Sequence, residues 1–452
     1  MDPDPQAVDA PAGAAWVRGL TSPQGRAARA TAARLADEEA AGAATGRPAD
    51  PLRLATRLRS AHPDLPGDLL AAAATQARLA RRARGRLAPR HPDGAPVDAD
   101  ALLYTDGGLQ QASRTAVADH RAGRFAAAGA SAVADLGCGL GADAWSLAGY
   151  GIRVVAVEAD PATAAVATAN AAAVAPDLVE VRLGDVTDPA VLEPVLAATD
   201  AAYVDPARRD PDGPRDAAGR RTRRLADPGS WSPPWPWVLG LAERQPRTVA
   251  KVAPGIAREL APEGCETAWT SVDGDLVEAA VWFPGLAEPG VRRRAVVLRT
   301  GRSPAQLTAG DAGPDAGDDA APDVGPVGEW LLEPDDAVIR SGLVAPLAQR
   351  VDGRLLHPDV AWVTTDTRPD DALGRAWRVL AELPGAVAPL RAALRGRGFG
   401  DVVVKTRAVM VRPERLRRDL RLRGDGPTAT LVVTRTAHGG VTLLVSPGDS
   451  EP

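Results

Sequence analysis

The chain has 452 residues and a formal net charge of −5, and this length is enough for two or three domains. It contains no apolar run of about 18 residues, so no membrane-spanning helix is expected, and its acidic start lacks the pattern of a signal peptide. Its two cysteines, Cys138 and Cys265, give neither a disulfide framework nor a metal cluster. These features predict a cytoplasmic protein with no membrane or metal partner.

Residues 1–100 are rich in alanine, arginine and leucine and predict a helical N-terminal domain, with helices over Ala27–Ala41 and Asp68–Arg86. Because only two of the 53 basic residues are lysines, the arginine content reflects a compositional bias. A solvated helix face is therefore favoured over a nucleic-acid contact for the arginines at the end of the second helix. These arginines are Arg78, Arg81, Arg82, Arg84 and Arg86. A further helix is expected from Ser113 or Thr115 to Phe125.

Strands and helices alternate over residues 101–300. Apolar runs predict strands at Ala132–Leu136, Arg153–Val157, Leu178–Leu183, Ala201–Val204, Thr248–Val252, Val277–Trp282 and Ala295–Leu298. Helices are predicted between them at Ala142–Gly149, Pro161–Val174 and Pro189–Ala198. This alternation indicates an α/β domain with a mostly parallel sheet, whose ligands bind at the carboxyl ends of the strands. The last two strands are joined by the short Pro284–Gly290, so they are expected to pair antiparallel.

Residues 301–326 have the composition of a flexible acidic Gly/Pro linker, and an α+β region is predicted over residues 327–452. In that region, helices are expected at Pro334–Gln349 and Leu373–Leu383. Strands are expected at Asp401–Val411 and Thr428–Arg435, with a third at Val441–Val445.

The stretch Ala132–Asp143 reads as a strand, a tight glycine turn and the start of a helix. Glycines at alternate positions let the backbone approach a nucleotide-like ligand closely. Acidic residues accompany this turn on the first strand and after the next two strands. The candidate cofactor-binding residues are therefore Asp135, Gly137, Gly139, Gly141, Glu158 and Asp185. A carboxylate in the position of Glu158 can accept two hydrogen bonds from a ribose diol, which fits NAD as well as other nucleotides.

The segments DLGCGLGAD, VEAD, GDVTD and YVDPARRD resemble motifs one to four of class I S-adenosylmethionine-dependent methyltransferases, over residues 101–300. The resemblance implies a Rossmann-like sheet and S-adenosylmethionine as the cofactor. It also implies that the glycine loop wraps the methionine half, that Glu158 holds the ribose and that Asp185 approaches the adenine amino group. The alternative is a Rossmann-like fold that uses another nucleotide or none.

The sequence Asp205-Pro206-Ala207-Arg208 resembles the [Asn/Asp]-Pro-Pro-aromatic motif of enzymes that methylate amino groups in nucleic acids. In those enzymes the polar side chain and a backbone carbonyl hold the target NH₂ in line with the methyl group. Arg208 replaces the aromatic residue, and its guanidinium could stack on a base or bind a phosphate. Alternatively, Asp205 only ties down its own loop.

DPAR also resembles the corresponding motif of RNA 5-methyluridine methyltransferases, which need a cysteine at the end of the next strand. Residues 249–255 contain no cysteine, so an amine, a ring nitrogen or a ribose hydroxyl remains as the target. Lys251 lies at this strand end. It could bind a substrate phosphate, pair with Asp205, or be an ordinary strand-end charge.

Trp231, Trp235 and Trp237 follow the DPAR motif, and a proline-rigidified packing cluster is favoured slightly over base stacking. Further on, residues 391–423 hold eleven basic and three acidic residues. Such a local excess suggests a surface for a polyanion, and a solvated arginine-rich face is the alternative. The basic residues are Arg391, Arg395, Arg397, Lys405, Arg407, Arg412, Arg415, Arg417, Arg418, Arg421 and Arg423.

Residues 370–440 resemble a THUMP-like domain, a type of module that is associated with RNA binding. The sequence therefore predicts an S-adenosylmethionine-dependent methyltransferase that acts on nucleic acid, most simply RNA. In this prediction Asp205 and the Pro206 carbonyl orient the acceptor, and the N-terminal helices and the C-terminal domain position the substrate. Two alternatives stay open: a methyltransferase for a protein or a small molecule, and a non-catalytic RNA-binding protein that retains the fold.

Overall fold

A computed structural model describes residues 14–44, 51–207, 227–310 and 323–448. The chain divides into two compact units. Unit 1 comprises Met1–Lys251 and Trp282–Leu286, and unit 2 comprises Val252–Val281 and Ala287–Pro452. Among the described residues, no helix is long and apolar enough to cross a lipid bilayer.

Unit 1 begins with four helices: α1 (Ala15–Thr21), α2 (Pro23–Ala44), α3 (Pro51–Ala61) and α4 (Gly67–Ala83). Small residues let α2 and α4 pack closely, because Ala28 and Ala32 on one helix and Ala73 and Ala77 on the other are buried at helical spacing. The two helices predicted in this region are confirmed, although both differ from the predicted bounds by a few residues.

The arginines at the end of α4 form ion pairs with carboxylates. Arg78 and Arg82 both pair with Asp106, and Arg84 lies 2.8 Å from the Asp37 carboxylate and 2.6 Å from that of Asp100. These contacts are within unit 1, and they agree with the favoured interpretation of a charged, solvated helix face.

A parallel sheet forms the centre of unit 1. Its strands are β1 (Ala132–Leu136), β2 (Arg153–Glu158), β3 (Val179–Leu183), β4 (Ala201–Val204) and β5 (Thr248–Val252), in the order β3-β2-β1-β4-β5. All four pairings are parallel. The helices before and between them are α5 (Asp106–Gln111), α6 (Thr115–Ala127), α7 (Ala142–Gly149), α8 (Pro161–Val174), α9 (Pro189–Leu196) and α10 (Trp235–Arg244). The predicted α/β alternation is confirmed for this part of the chain.

The segment before α5 is fixed to the sheet domain by one buried side chain. Asn170 of α8 accepts a hydrogen bond from the Leu103 N–H at 2.8 Å and donates to the Leu103 carbonyl at 3.0 Å and to the Leu140 carbonyl at 3.2 Å. On the same segment, Gln76 of α4 exchanges two hydrogen bonds with the Tyr104 backbone. These amides join the N-terminal helices to the glycine turn, and the sequence analysis did not find them.

Unit 2 begins with β6 (Glu266–Val272), β7 (Asp275–Trp282), β8 (Val291–Leu298) and β9 (Ala305–Gly310). The predicted antiparallel pairing of the strands now named β7 and β8 is wrong, because β6 lies between them and pairs in parallel with β8. The polar sequence of β6 hid this strand. Its Glu266 is fully buried and pairs with Arg294 of β8 at 2.7 Å, which offsets the desolvation of both charges.

The linker predicted over residues 301–326 is wrong in part. Ala305–Gly310 form β9, which pairs antiparallel with β8, and the Asp323 carbonyl accepts a hydrogen bond from Leu355 N–H at 2.7 Å. Residues 311–322, which contain four of the five aspartates of this stretch, lie outside the described residues.

A second sheet follows in unit 2. Its strands are β10 (Trp330–Pro334), β11 (Arg354–His357), β12 (Val360–Thr365), β13 (Gly374–Leu383), β14 (Asp401–Thr406), β15 (Thr428–Thr436) and β16 (Gly439–Pro447). The strand order is β11-β12-β10-β13-β16-β15-β14. Its helices are α11 (Asp336–Ser341), α12 (Val344–Arg350), α13 (Val387–Gly396) and α14 (Pro413–Leu420). The predicted small α+β region is confirmed, with the later strands near their expected positions.

Two predicted helices of this region differ from the structure. The helix predicted at Leu373–Leu383 is strand β13, where Trp377 and Leu383 are buried and the side chains at alternate positions between them, Arg378, Leu380 and Glu382, are exposed. The helix predicted at Pro334–Gln349 is split into α11 and α12, because Gly342 adopts a φ of 74° and ends the first of them.

Removing the Asn170 side chain should destabilise unit 1. Asn170→Ala leaves the backbone groups of Leu103 without their partner in a buried position, which costs about 1–3 kcal/mol for an unsatisfied buried group. Urea unfolding should show a lower midpoint than for the wild type. The control is Thr168→Ala on the exposed face of the same helix, where the lost hydrogen bond goes to a helical carbonyl. Equal midpoints for the two variants would contradict the role of Asn170.

Candidate functional site

Strand register brings three predicted site segments to one edge of the sheet in unit 1. Leu136 of β1 is paired with Val157 of β2 and with Val204 of β4. The residues that follow these positions are therefore neighbours at the carboxyl edge, where ligands bind in open α/β sheets. Gly137, Glu158 and Asp205 are those residues, and the structure brings them together at this edge.

The glycine turn has a backbone that side chains would obstruct. Gly137, Gly139 and Gly141 have φ values of 86°, 57° and 89°. A Cβ at Gly137 would lie 3.2 Å from the Asp205 carbonyl oxygen, and one at Gly141 would lie 3.0 Å from Trp145 Nε1, whereas one at Gly139 would point into open space. The middle glycine therefore leaves an open cradle on the ligand side, and its neighbours allow close backbone packing.

Glu158 is tied to this turn. Its Oε2 accepts the Gly139 N–H at 3.0 Å and its Oε1 accepts the Asp160 N–H at 2.9 Å. Burial raises the pKa of the Glu158 carboxyl, and the backbone donors oppose that rise. The carboxylate is thus held beside the open side of the turn, and each oxygen retains a lone pair for a ligand.

Asp135 is fully buried in β1, and neither of its carboxylate oxygens has a hydrogen-bond partner among the described residues. Burial, together with the Asp143 and Asp205 carboxylates, raises the pKa of Asp135 well above its usual value. A buried carboxylate without a partner is costly, so a cationic or hydrogen-bonding ligand at this place would satisfy it.

A buried ion pair that the sequence analysis missed lies next to Asp135. The Arg121 guanidinium pairs with the Asp143 carboxylate and lies 4.4 Å from the centre of the Tyr203 ring. Arg121 belongs to α6 and is 4 % exposed. An arginine in an arginine-rich chain gives no sequence signal for this role, although its position on the inner face of an amphipathic helix could have been noticed.

Asp205 and Lys251 form an ion pair at the ends of β4 and β5, with Nζ 2.7 Å from Oδ2. Lys251 Nζ also donates to the Gln111 carbonyl at 3.2 Å and to Ser113 Oγ at 3.3 Å. An ammonium group can donate to several acceptors at once, and these contacts hold Lys251 in place. Of the alternatives for Lys251, the pairing with Asp205 is the one that the geometry shows.

The other predicted site residues are Pro206, Arg208 and Asp185. Pro206 is buried, and the next residue, Ala207, forms a bridge with Ser232 through hydrogen bonds of 2.7 and 3.0 Å. Arg208 lies outside the described residues. Asp185 is exposed after β3, where its Oδ1 accepts hydrogen bonds from the backbone and the hydroxyl of Thr187, both at 2.8 Å.

Two of the three predicted tryptophans are packed. Trp231 and Trp235 are each 5 % exposed, and their rings meet edge to face at 6.1 Å. The ring centres of Trp235 and Phe283 are 6.3 Å apart. This agrees with the favoured interpretation of a packing cluster for these two residues.

The C-terminal basic segment uses several of its arginines internally. Arg391 and Arg395 donate to carbonyls at the end of α14, and Arg417 pairs with Asp401 at 2.6 Å. A groove of about 690 Å³ lies beside this helix. Its lining consists of Asp401, Glu414, Arg417, Arg418, Arg421, Leu422 and Arg423.

Comparisons with known proteins agree with this geometry. The chain is 35 % identical over 379 residues to two proteins of Mycobacterium tuberculosis, strains CDC 1551 and H37Rv, each named as an uncharacterized S-adenosylmethionine-dependent methyltransferase. The alignment covers 81 % of this chain and 93 % of each relative. A crystal structure of a putative methyltransferase from Porphyromonas gingivalis W83 has a TM-score of 0.66 and 22 % identity, with 85 % of this chain and 92 % of that chain covered.

The glycine turn, the flanking acids and these relatives define a class I methyltransferase with a Rossmann-like sheet. The chain belongs to the S-adenosylmethionine-dependent methyltransferases. Its residues 374–447, from β13 to β16, match the family model for the THUMP domain-like module. The cofactor is S-adenosylmethionine. The open cradle at Gly139 and the Asp135 carboxylate, for which the described residues provide no hydrogen-bond partner, fit a ligand with cationic groups.

Proposed function

We propose that this enzyme methylates RNA at an amine, a ring nitrogen or a ribose hydroxyl, with Asp205 orienting the acceptor. The observation that carries the proposal is the position of Asp205: its carbonyl lies against Gly137 of the cofactor turn, and its carboxylate is held by Lys251. A methyl acceptor held by this carboxylate is next to the cofactor, and proximity and alignment supply most of what methyl transfer needs.

On the cofactor side, the glycine turn of residues 137–141 receives the methionine half, Glu158 holds the ribose hydroxyls and Asp185 approaches the adenine. Bound S-adenosylmethionine supplies a methyl group on a sulfonium cation. The buried Asp135 supports this arrangement because its carboxylate oxygens have no hydrogen-bond partner among the described residues, so a ligand with positive charge or hydrogen-bond donors would stabilise them. Asp185 already binds Thr187 through Oδ1, so its other oxygen is the acceptor for the adenine amino group.

On the acceptor side, Asp205 Oδ2 is occupied by Lys251, which leaves Oδ1 to accept an N–H or O–H hydrogen bond. The Pro206 carbonyl is the second acceptor, and Arg208 is proposed to contact a base or a phosphate. Covalent activation of a pyrimidine is not part of this proposal. Burial raises the pKa of the Cys265 thiol to about 11 and that of Cys138 well above its usual value, which makes both poor nucleophiles.

Mass spectrometry of nucleosides from total RNA tests the activity. Cells that lack the gene should lack one modified nucleoside, and a plasmid with the wild-type gene should restore it. Asp205→Ala should fail to restore it, because the acceptor is no longer held, although the variant should still bind S-adenosylmethionine in calorimetry. Identical nucleosides with and without the gene would contradict the RNA proposal, and restoration by Asp205→Ala would contradict the role of Asp205.

Removing the Glu158 carboxylate should weaken cofactor binding. Glu158→Ala is expected to cost about 1–3 kcal/mol of binding free energy, the loss of hydrogen bonds to a charged acceptor. Calorimetric titration with S-adenosylmethionine measures this loss. The control is Glu180→Ala on the neighbouring strand β3, where the carboxylate pairs with Arg182. Equal affinities for Glu158→Ala and the wild type would contradict the proposed ribose contact.

The proposed contact surface for RNA is the exposed face of α14 together with Arg421 and Arg423, which follow it. Leu416 and Leu420 point into the core, so the arginines of this helix lie on its outer face. In the part of the chain that the structure describes, no ion pair or side-chain hydrogen bond is found for Arg418, Arg421 or Arg423, and all three are exposed. Guanidinium groups that are not neutralised by carboxylates can bind phosphates.

Neutralising these arginines should reduce RNA affinity and its dependence on salt. The triple variant R418Q/R421Q/R423Q is expected to lower the slope of log K against log salt by about 0.7 for each lost phosphate contact with a single strand. Fluorescence anisotropy with labelled RNA measures this slope. The control variant R18Q/R59Q/R302Q removes the same charge from other exposed positions. Equal slopes for the two triple variants would place the RNA contact elsewhere.

A further inference from the structure

The connection between α5 and α6 is attached to the catalytic edge through Lys251. Lys251 is 6 % exposed. Its ammonium group donates to the carbonyl of Gln111, the last residue of α5, and to the hydroxyl of Ser113. Ser113 is itself 4 % exposed. The third contact of the ammonium group goes to Asp205 Oδ2 and is the shortest, at 2.7 Å. One buried cation therefore connects a loop of the N-terminal region to the carboxylate that faces the acceptor.

The other end of α5 rests on the cofactor turn. Thr105 caps the helix by accepting the Gly108 N–H at 3.0 Å, and Gly108 packs so tightly that an added Cβ would lie 2.6 Å from Leu140 Cδ2. Asp106 in the first turn is held by Arg78 and Arg82 of α4. Helix α5 is thus fixed at its start against the cofactor turn and at its end against Lys251.

We propose that Lys251 is a positioning residue that, with Gln111 and Ser113, sets the orientation of the Asp205 carboxylate. This inference rests on the proposed role of Asp205 in holding the methyl acceptor. Three contacts fix the ammonium group in space, so its bond to Oδ2 fixes the rotation of the carboxylate about its Cβ–Cγ bond. The remaining oxygen, Oδ1, is then presented to the acceptor in one direction.

Charge supports the same assignment. Asp205 lies near enough to the buried Asp135 for the two carboxylates to repel each other. An ammonium group at 2.7 Å offsets this repulsion and keeps Asp205 in place. The Lys251 ammonium group donates to three protein acceptors, and we therefore assign it to positioning Asp205 rather than to binding the substrate.

The test compares turnover with cofactor binding in variants of the full-length enzyme. Lys251→Met keeps the length of the side chain but removes the charge and the donors. Its kcat is expected to fall about 10–100-fold, the effect of a misplaced reacting group, while its Kd for S-adenosylmethionine stays within about twofold of wild type, since this proposal gives the ammonium no bond to the cofactor. Turnover is measured with labelled S-adenosylmethionine and RNA from cells that lack the gene. The matched control is Arg247→Met at the amino end of β5, which removes a cation that lies 3.7 Å from Asp200.

Chemical rescue separates positioning from a merely structural role. Lys251→Ala should regain turnover when propylamine is added, because the amine restores the ammonium group beside Asp205, and propanol should give no rescue. Loss of kcat without rescue by the amine, in a variant that still binds the cofactor, would overturn the proposal. Wild-type kcat in Lys251→Met would overturn it as well.

A milder variant covers the case in which a substitution at Lys251 prevents folding. Ser113→Ala removes one of the three acceptors and should lower kcat about 3–10-fold, the equivalent of one hydrogen bond. Ser131→Ala is the control, since it also removes a hydrogen-bonded hydroxyl, one that donates to the Asp200 carboxylate. Unchanged kcat in Ser113→Ala would then overturn the proposal. If Asp205→Ala retains turnover, the proposed role of Asp205 in holding the methyl acceptor is overturned instead. If the wild-type enzyme shows no turnover on this RNA, the proposed function and the positioning role of Lys251 are both overturned.

Discussion

The site depends on one carbonyl group at the end of a strand. The Val157 carbonyl of β2 accepts hydrogen bonds from Gly137 N–H at 2.9 Å and from Cys138 N–H at 3.1 Å. These bonds extend the pairing of β1 and β2 one step beyond the strand and turn the chain towards α7. Only glycine fits the first position, because its φ is 86° and the Asp205 carbonyl lies beside it. Backbone geometry thereby places the turn and the main chain of Glu158 and Asp205, and the Gly139 N–H and Lys251 then hold the two carboxylates.

Electrostatics adds a second constraint at the same edge. Asp135, Asp143, Glu158 and Asp205 bring four carboxylates to a small region of unit 1, and Arg121 and Lys251 pair with two of them. Asp135 and Glu158 have no such cation among the described residues, and burial raises the pKa of both. This excess of buried carboxylates over cations costs free energy when no ligand is bound. It favours a ligand that brings positive charge, which agrees with a sulfonium cofactor.

The sequence predicted the parallel sheet of unit 1 and the site segments well because both depend on local patterns. Apolar runs, glycines at alternate positions and acids after the strands are contiguous signals. It could not show Asn170, Arg121 or the bonds from Lys251 to the α5–α6 connection, since these join positions distant in the chain. Strand β13 was mistaken for a helix because its arginines and alanines have good helix propensity, and tertiary pairing with β10 and β16 overrode that preference.

The C-terminal basic segment shows why a charge count predicts less than charge placement. Its eleven basic residues give a strong local excess in the sequence. In the structure, Lys405 and Arg407 face Glu333, and Arg391 and Arg395 stabilise the end of α14 through its carbonyls. These residues stabilise the module itself, so only some of their N–H donors remain for a polyanion. The polyanion contact that we propose therefore rests on Arg418, Arg421 and Arg423 beside the groove at the end of α14, for which the described residues provide no ion pair.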